Sequence, residues 1–349
     1  VALLVAALAM TLVGQLGGSG PAGPESMHST LVMPESQTLH RGYGSPVVVS
    51  PAGDTVVQVF QAGTEHELHL RAIDQWEGSV LHAGQGPERP YHPFFSPDGK
   101  WLGFVTINAI KKMPISGGTP IKLTDVNLNR GATWAPDGTI IFAPGPSSPL
   151  FRVPEAGGAA EPLTELDKEN NETTHRWPQI LPGGKAVLFT VHSQGSGFDS
   201  AWIEVLDLES NERHVVHRGG TFARYVESGH LVYMNQGTLF AMPFDLASLQ
   251  PTDSPAPVVE GVGDSSEGGA YYDVSRNGVL VFSAGGVGGG SLLKALWVDR
   301  DGRQSPLTKE ERAYANPRLS PDGTRLAVEI ETEGNTDIWV LDLDRDVPT

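Results

Sequence analysis

One short pattern returns seven times along this chain of 349 residues: an apolar pair, a turn that ends in glycine, and a second apolar strand. The distance between successive turn glycines runs from 39 to 49 residues. A repeat of this period constrains the chain to one domain built from stacked units rather than two unrelated domains. The turn glycines are Gly53, Gly99, Gly138, Gly184, Gly229, Gly278 and Gly323.

The turns have the chemistry of β-hairpins. In Ser96-Pro97-Asp98-Gly99, serine suits the first position of a type I turn, proline presets φ at the second, and glycine follows. An apolar strand, WLGFV, comes directly after this turn. Outside the N-terminus no segment keeps helical periodicity over three turns, so the sequence predicts an all-β protein.

Each unit holds enough apolar and polar alternation for four short strands. Four strands in about 45 residues is the period of a propeller blade. We therefore expect a β-propeller of about seven four-stranded blades, with six or eight left open, and with the turn glycines on a ring at one end of a central channel. The last unit stops before its fourth strand, so we expect this truncated blade to be completed by the strand of residues 28–33.

The N-terminus is apolar. Residues 1–13, VALLVAALAMTLV, predict a short helix that is the remnant of a transmembrane helix or signal segment, with a buried soluble helix as the alternative. Residues 14–27 form a flexible Gly/Pro/Ser linker, and residues 28–349 form the propeller. No Lys or Arg occurs between Val1 and Leu39, so the positive-inside rule places the propeller outside the cytoplasm. The expected location is the bacterial cell membrane, with a periplasmic propeller.

Charge and composition limit the partners. The chain has 41 Asp and Glu against 24 Lys and Arg, a formal charge of −17, which disfavours nucleic acid. It has no cysteine, so disulfides and thiolate metal sites are excluded. His66 and His69, like His214 and His217, are three residues apart and point to opposite faces of a strand. We expect no metal and no cofactor.

Several phrases carry a family resemblance: FFSPDGKWLGFV, MPISGGTPIKLT, RGATWAPDGTIIFA, HRWPQILPGGKAVLFT and LSPDGTRLAV. They resemble the WD-like β-propeller repeats of the TolB type over residues 28–349. Their order is also similar to the extracytoplasmic region that follows the membrane helix in many bacterial receptor-type serine/threonine kinases. The resemblance implies six to eight blades and a role in sensing or protein interaction.

The chain contains neither the kinase motif set nor the nucleophile elbow Gly-x-Ser-x-Gly. The first hypothesis is therefore a non-catalytic, ligand-sensing or protein-interaction propeller that is not itself an enzyme. The alternative is the gating propeller of a prolyl-oligopeptidase-like serine peptidase, or of another propeller hydrolase, whose catalytic domain lies outside this sequence.

The residues just before each innermost strand are unusually basic and aromatic for an acidic chain. In a propeller these positions converge at one channel mouth. An electropositive mouth would bind a carboxylate of a protein or peptide, or a small anionic ligand. The other interpretation is that these arginines pair with nearby acids and hold adjacent blades together. The predicted ligand-binding residues are Arg89, His92, Arg130, His175, Arg176, Trp177, Arg224, Tyr225 and Arg318.

Overall fold

The computed structural model describes residues 3–7, 28–31, 38–195, 197–284, 296–298, 304–307, 312–332, 335–343 and 347–348. These residues form antiparallel strands and two single 3₁₀ turns, Gly86–Glu88 and Phe198–Ser200. The all-β prediction is confirmed. In this described part of the chain, no helix is long and apolar enough to cross a membrane.

Six sheets, which we call blades 1 to 6, follow one another along the chain. Blade 1 contains Thr38–Leu39, Val47–Val49, Thr55–Ala62, Glu65–Ala72 and Ser79–Gln85. Blade 2 contains Tyr91–Phe95, Trp101–Val105, Ala109–Pro114 and Ile121–Asp125. Blade 3 contains Ala132–Trp134, Thr139–Phe142, Phe151–Pro154 and Glu161–Pro162. Blade 4 contains Glu172–Ile180, Ala186–Ser193, Trp202–Asp207 and Arg213–Arg218. Blade 5 contains Thr221–Val226, His230–Asn235, Thr238–Asp245, Gln250–Pro251 and Ala256–Glu260. Blade 6 contains Tyr272–Val274, Val279–Ser283, Leu3–Ala7 and His28–Leu31.

The seven predicted turns all form. Each turn glycine has φ between 70 and 87°, the left-handed region that favours glycine. Each glycine N–H donates to the carbonyl three residues earlier, at 2.9 to 3.2 Å. The local turn chemistry thus sets the hairpin that joins the first two strands of each repeat.

The innermost strands of blades 1 to 6 contact one another in a closed cycle, from blade 1 through blade 6 and back to blade 1. At the closure, the Asp273 carboxylate accepts the Val49 N–H at 2.9 Å, and Asn277 Nδ2 donates to the Ala52 carbonyl at 2.7 Å. The predicted count of seven blades is not confirmed, because this cycle contains six.

Both chain ends differ from the prediction. The predicted N-terminal helix is not confirmed: Leu3–Ala7 is a strand paired with Val279–Ser283, and an apolar run of this length suits a buried strand as well as a helix. His28–Leu31 does complete a sheet, but by pairing with Leu3–Ala7 in blade 6. The rest of residues 1–13 and the linker 14–27 lie outside the described residues.

The last repeat was expected to lack an outer strand, and this expectation is wrong. It forms a four-stranded sheet, and Val347–Pro348 pairs with Asn335–Asp342 as the fourth strand. The other strands of this sheet are Ala313–Leu319 and Arg325–Thr332, and a further two-stranded sheet pairs Leu296–Val298 with Gln304–Pro306.

The apolar core lies in layers between neighbouring blades. In one layer, Phe94 and Ile110 of blade 2 pack with Trp134, Ile140 and Phe142 of blade 3. Burying an apolar side chain of this size contributes about 1.5–3 kcal/mol. Such layers fix each innermost strand against the next around the channel.

Candidate functional site

A β-bulge interrupts the innermost strands of blades 2, 4 and 5, between Tyr91 and Phe94 in blade 2 and at matching places in the other two. The residue seven positions before the turn glycine has a positive φ in each: 45° at His92, 55° at Trp177 and 54° at Phe222. A bulge locally re-aims the strand. Side chains before and after it therefore reach different ends of the channel.

Arg130 and Arg176, each eight positions before its turn glycine, lie at the first end, which we call the mouth. They converge there on one carboxylate, that of Glu267. Glu267 Oε2 accepts Arg130 Nε at 3.1 Å and Arg176 NH1 at 2.7 Å. Arg130 and Arg176 are 3% and 6% exposed, so this is a nearly buried ion-pair cluster. It matches the interpretation in which the arginines hold blades together.

Glu267 lies on the loop that precedes the innermost strand of blade 6. Burial raises the pKa of its carboxyl, but the hydrogen bond from Arg176 and the charge of Arg130 outweigh burial and lower it. The loop is anchored on blade 5, where the Thr221 hydroxyl donates to the Gly268 carbonyl at 2.6 Å. The carboxylate is thus held ionised between the two guanidinium groups.

A cavity of about 320 Å³ opens at the mouth. Arg41 and the exposed Arg89 line it together with Glu267. Burial, with smaller effects of His66 and Arg89, lowers the pKa of His40, also in the lining, to about 4. Three tyrosines also line it: Tyr43, Tyr91 and Tyr271.

A layer of rings lies between the two ends of the channel. Trp177 is 1% exposed, and its ring centroid lies 5.6 Å from that of His92 and 5.5 Å from that of Phe222. Burial, with a smaller effect of Arg224, lowers the pKa of His92 to about 3, so its imidazole is neutral. His92 Nε2 accepts the Ala132 N–H at 3.3 Å. His92 and Trp177 are therefore packing residues of this layer.

Residues five positions before the turn glycine lie at the second end, which we call the turn end. All six blades contribute one such residue to a cavity of about 190 Å³. Arg224 and Asp273 are its charged members at this level. Arg224 was expected at the mouth with Arg130 and Arg176, but it lies three residues nearer its turn glycine than they do and is therefore at this end. The six residues are Val48, Phe94, Thr133, Gln179, Arg224 and Asp273.

His175 lies inside blade 4, where it is fully buried. Its Nδ1 is 2.7 Å from Thr164 Oγ1 and its Nε2 is 3.0 Å from Glu172 Oε2. Burial raises the pKa of Glu172, but hydrogen bonds from His175 and Arg213 outweigh burial and lower it to about 2. The predicted mouth residue is therefore part of an internal polar network.

The remaining predicted residues are dispersed. Tyr225 is half-buried, and its N–H donates to Gln179 Oε1 at 2.6 Å. Arg318 is exposed and follows a bulge like that of blade 5, but it belongs to the sheet of the last repeat. The sequence does not single out Glu267, because the surrounding Gly-Asp-Ser-Ser-Glu-Gly-Gly stretch carries no signal for a defined side-chain position. Whether the nine residues bind a ligand stays a prediction.

Within the described residues, no group of three or more His, Asp or Glu side chains is arranged to hold a metal ion. No family model matches the sequence, and no curated protein matches it either.

Solved structures share the fold. TolB from Acinetobacter baumannii is 16% identical with a TM-score of 0.51, covering 75% of this chain and 59% of its own. This chain therefore spans 59% of the length of that TolB. A TolB-like protein from Agrobacterium tumefaciens is 13% identical with a TM-score of 0.53, covering 73% and 87%. An oligogalacturonate lyase in complex with manganese is 13% identical with a TM-score of 0.53, covering 90% and 92%. The architecture that these structures share with this chain is the β-propeller.

The prediction that this chain is not an enzyme is corrected by the lyase. That protein is an enzyme of the same architecture, and its chain is covered almost completely. The motifs sought in the sequence belong to kinases and serine hydrolases, whereas propellers also support other chemistry. The fold therefore gives no ground for setting catalysis aside.

Proposed function

We propose that this chain is a binding propeller whose mouth cavity takes the carboxylate of an acidic peptide segment or chain terminus on a protein partner. The observation that carries the proposal is the lining of the cavity: Arg41 and Arg89 with three tyrosines, above a carboxylate already bound by two buried arginines. Planar guanidinium groups bind carboxylates with charge-assisted hydrogen bonds.

The size and the rings favour a peptide over a free ion. A cavity of about 320 Å³ holds several side-chain-sized groups, and tyrosines supply rigid contact area with a polar tip. Glu267 also lines the cavity, so part of the positive charge of Arg130 and Arg176 is already neutralised. The exposed Arg89 is then the guanidinium best placed to meet an incoming carboxylate.

The test uses a fluorescein-labelled heptapeptide rich in Asp and Glu, with a free or an amidated C-terminus, in a fluorescence-anisotropy titration. We expect the free acid to bind and Arg89→Gln to weaken binding about tenfold, equivalent to about 1.4 kcal/mol. Arg152→Gln, which removes an exposed arginine from an outer strand of blade 3, is the matched control and should leave Kd unchanged. Equal effects of the two substitutions, or no binding of either peptide, would overturn the proposal.

We also propose a location outside the cytoplasm, with the propeller as the sensor region of a membrane-anchored kinase. The apolar run 1–13, the absence of Lys and Arg before residue 40 and the kinase-linked resemblance support this. A membrane helix and the strand Leu3–Ala7 would use the same residues. Fractionation of bacterial cells that produce the chain decides: recovery with the membrane supports the anchor, and recovery in the cytosol contradicts the location.

A further inference from the structure

The turn-end cavity presents one positive and one negative side chain on neighbouring innermost strands, and the exposed Arg276 also lines it. Arg224 lies five residues before Gly229, and Asp273 lies five residues before Gly278, so they occupy equivalent positions in blades 5 and 6. Both line the cavity, which opens at the end of the channel opposite the mouth. The ring layer of His92, Trp177 and Phe222 lies between the two cavities.

Arg224 has unused hydrogen-bonding capacity in a buried place. It is 9% exposed, and its NH1 donates to the carbonyls of Trp177 at 3.2 Å and Ala223 at 2.8 Å. Its guanidinium stacks on Phe222 at 4.0 Å. No carboxylate among the described residues lies within 4.0 Å of it, and Nε and NH2 donate to none of those residues. The charge of Asp273 acts on Arg224 without an ion pair between them, so an anionic group beside the guanidinium would compensate its burial more fully.

Asp273 is a carboxylate that lacks an ion pair among the described residues. Its Oδ2 accepts the Val49 N–H at 2.9 Å, and no cationic side chain among the described residues forms an ion pair with it. Burial raises the pKa of Asp273 to about 6, and the charge of Arg224 opposes that rise. A cation beside this carboxylate would relieve the cost of its burial.

The lining also has donors to spare. Gln179 Oε1 accepts the Tyr225 N–H and Thr133 Oγ1 accepts the Ile180 N–H, so the Gln179 NH2 group and the Thr133 hydroxyl remain able to donate. The cavity volume of about 190 Å³ leaves room for a small polar molecule beside these groups. Gln179, Val274 and Arg276 also line a neighbouring cavity of about 430 Å³, so a longer molecule has room to extend.

We propose that the turn-end cavity is a second binding site, for a small amino carboxylate whose carboxylate pairs with Arg224 and whose ammonium group pairs with Asp273. A simple anion bound at Arg224 would be repelled by the Asp273 carboxylate, and a simple cation bound at Asp273 would be repelled by the Arg224 guanidinium. A zwitterion meets both charges at once, and this site is independent of the proposed peptide site at the mouth.

The experiment is isothermal titration of the full chain at pH 7.5 with glycine, β-alanine, 4-aminobutanoate and 5-aminopentanoate. This series varies the separation of the two charges, and butanoate and butylammonium each lack one of them. We expect at least one amino carboxylate to bind at least tenfold more tightly than either singly charged compound. No binding of any amino carboxylate, or equal binding of butanoate, would overturn the proposal.

Two substitutions locate the site. Asp273→Asn keeps an oxygen for the Val49 N–H and should weaken amino carboxylate binding at least tenfold, with no comparable effect on butanoate. Arg224→Gln should abolish binding of both, and if it fails to fold, Asp273→Asn alone decides. Arg89→Gln is the control at the mouth and should leave amino carboxylate binding unchanged. An unchanged Kd in Asp273→Asn would contradict the site, while failure of the peptide titration would leave it standing.

Discussion

The two ends of the channel hold arginines with nearly the same contact to an aromatic ring, but only the arginine at the mouth has an ion pair. Arg130 at the mouth stacks on Tyr43 at 4.0 Å, and Arg224 at the turn end stacks on Phe222 at the same distance. Arg130 also has the Glu267 carboxylate at 3.1 Å, whereas Arg224 has no carboxylate of the described residues within ion-pair distance. The protein supplies its own anion at one end and leaves the positive charge open to a ligand at the other.

The largest effect should come from breaking the ring layer that separates the ends. Gly131 has φ of 106°, and a Cβ there would lie 2.8 Å from Trp177 Cα. We expect Gly131→Ala to lower the free energy of unfolding by about 4 kcal/mol, from backbone strain and from overlap with main chain that cannot move aside. Urea denaturation followed by circular dichroism measures this.

Gly117→Ala is the matched control. Gly117 has φ of 94°, but nothing lies within 4 Å of its added Cβ. It should therefore cost about 1–2 kcal/mol, from strain alone. If the two variants lost equal stability, the close packing of Gly131 on Trp177 would add nothing to the cost of backbone strain.

The second effect concerns pH at the turn end. The pKa of Asp273 is raised from 3.8 to about 6, so the folded state holds this proton more tightly than the unfolded state. The stabilisation is fully present below pH 3.8 and is lost as pH rises through about 6. Between pH 4 and 7, wild type should lose up to about 3 kcal/mol relative to Asp273→Asn, at about 1.4 kcal/mol per pKa unit. A constant difference across this range in urea denaturation would contradict the assignment.

The third effect concerns the mouth, where the sign reverses. The pKa of Glu267 is lowered, so its contribution is present above about pH 4.5 and is lost as pH falls through the folded pKa. At pH 7, Glu267→Gln should cost about 2 kcal/mol, because it leaves two buried arginines without an anion; this is below the usual cost of a buried pair since the Glu267 side chain is 30% exposed.

Glu161→Gln is the matched control for Glu267→Gln. It breaks the exposed Arg152–Glu161 pair of 3.3 Å and should change the free energy of unfolding by less than about 0.5 kcal/mol. A Glu267→Gln cost no larger than this would mean that the mouth arginines do not need their carboxylate.

The turn glycines show what could be predicted from sequence. Ser, Pro, Asp and Gly at fixed turn positions specify a local conformation, and every predicted hairpin formed. The number of blades in the cycle depends on which surfaces meet across more than 200 residues, as at Asp273 and Val49, and no local signal encodes that. The last repeat has the turn sequence of a blade but lies outside the cycle of six.

The candidate site was predicted less well, for a physical reason. Positive φ is uncommon for bulky side chains, and it occurs at His92, Trp177 and Phe222. The residue types at these positions therefore do not predict the bulges. Arg224 lies three residues further along its strand than the position of Arg130 and Arg176, so it reaches the opposite end of the channel. The spacing of eight residues did group Arg130 with Arg176, but the spacing of five grouped Arg224 with Arg318, which lies in the sheet of the last repeat, outside the cycle of six.

The smallest effect tests whether the Tyr43 ring and the Glu267 carboxylate both stabilise Arg130. Tyr43 is 37% exposed, so Tyr43→Leu should cost about 1 kcal/mol through loss of the cation–π contact, and Tyr43→Phe, which keeps the ring, should cost almost nothing. In a Glu267→Gln background Arg130 would resemble Arg224, with a ring and no anion. The Tyr43→Leu cost should then rise, because the ring becomes the main compensation for a buried charge. A double-mutant cycle in urea denaturation measures this coupling. Strict additivity would show that the two contacts act independently, and that the open state of Arg224 cannot be inferred from its ring contact.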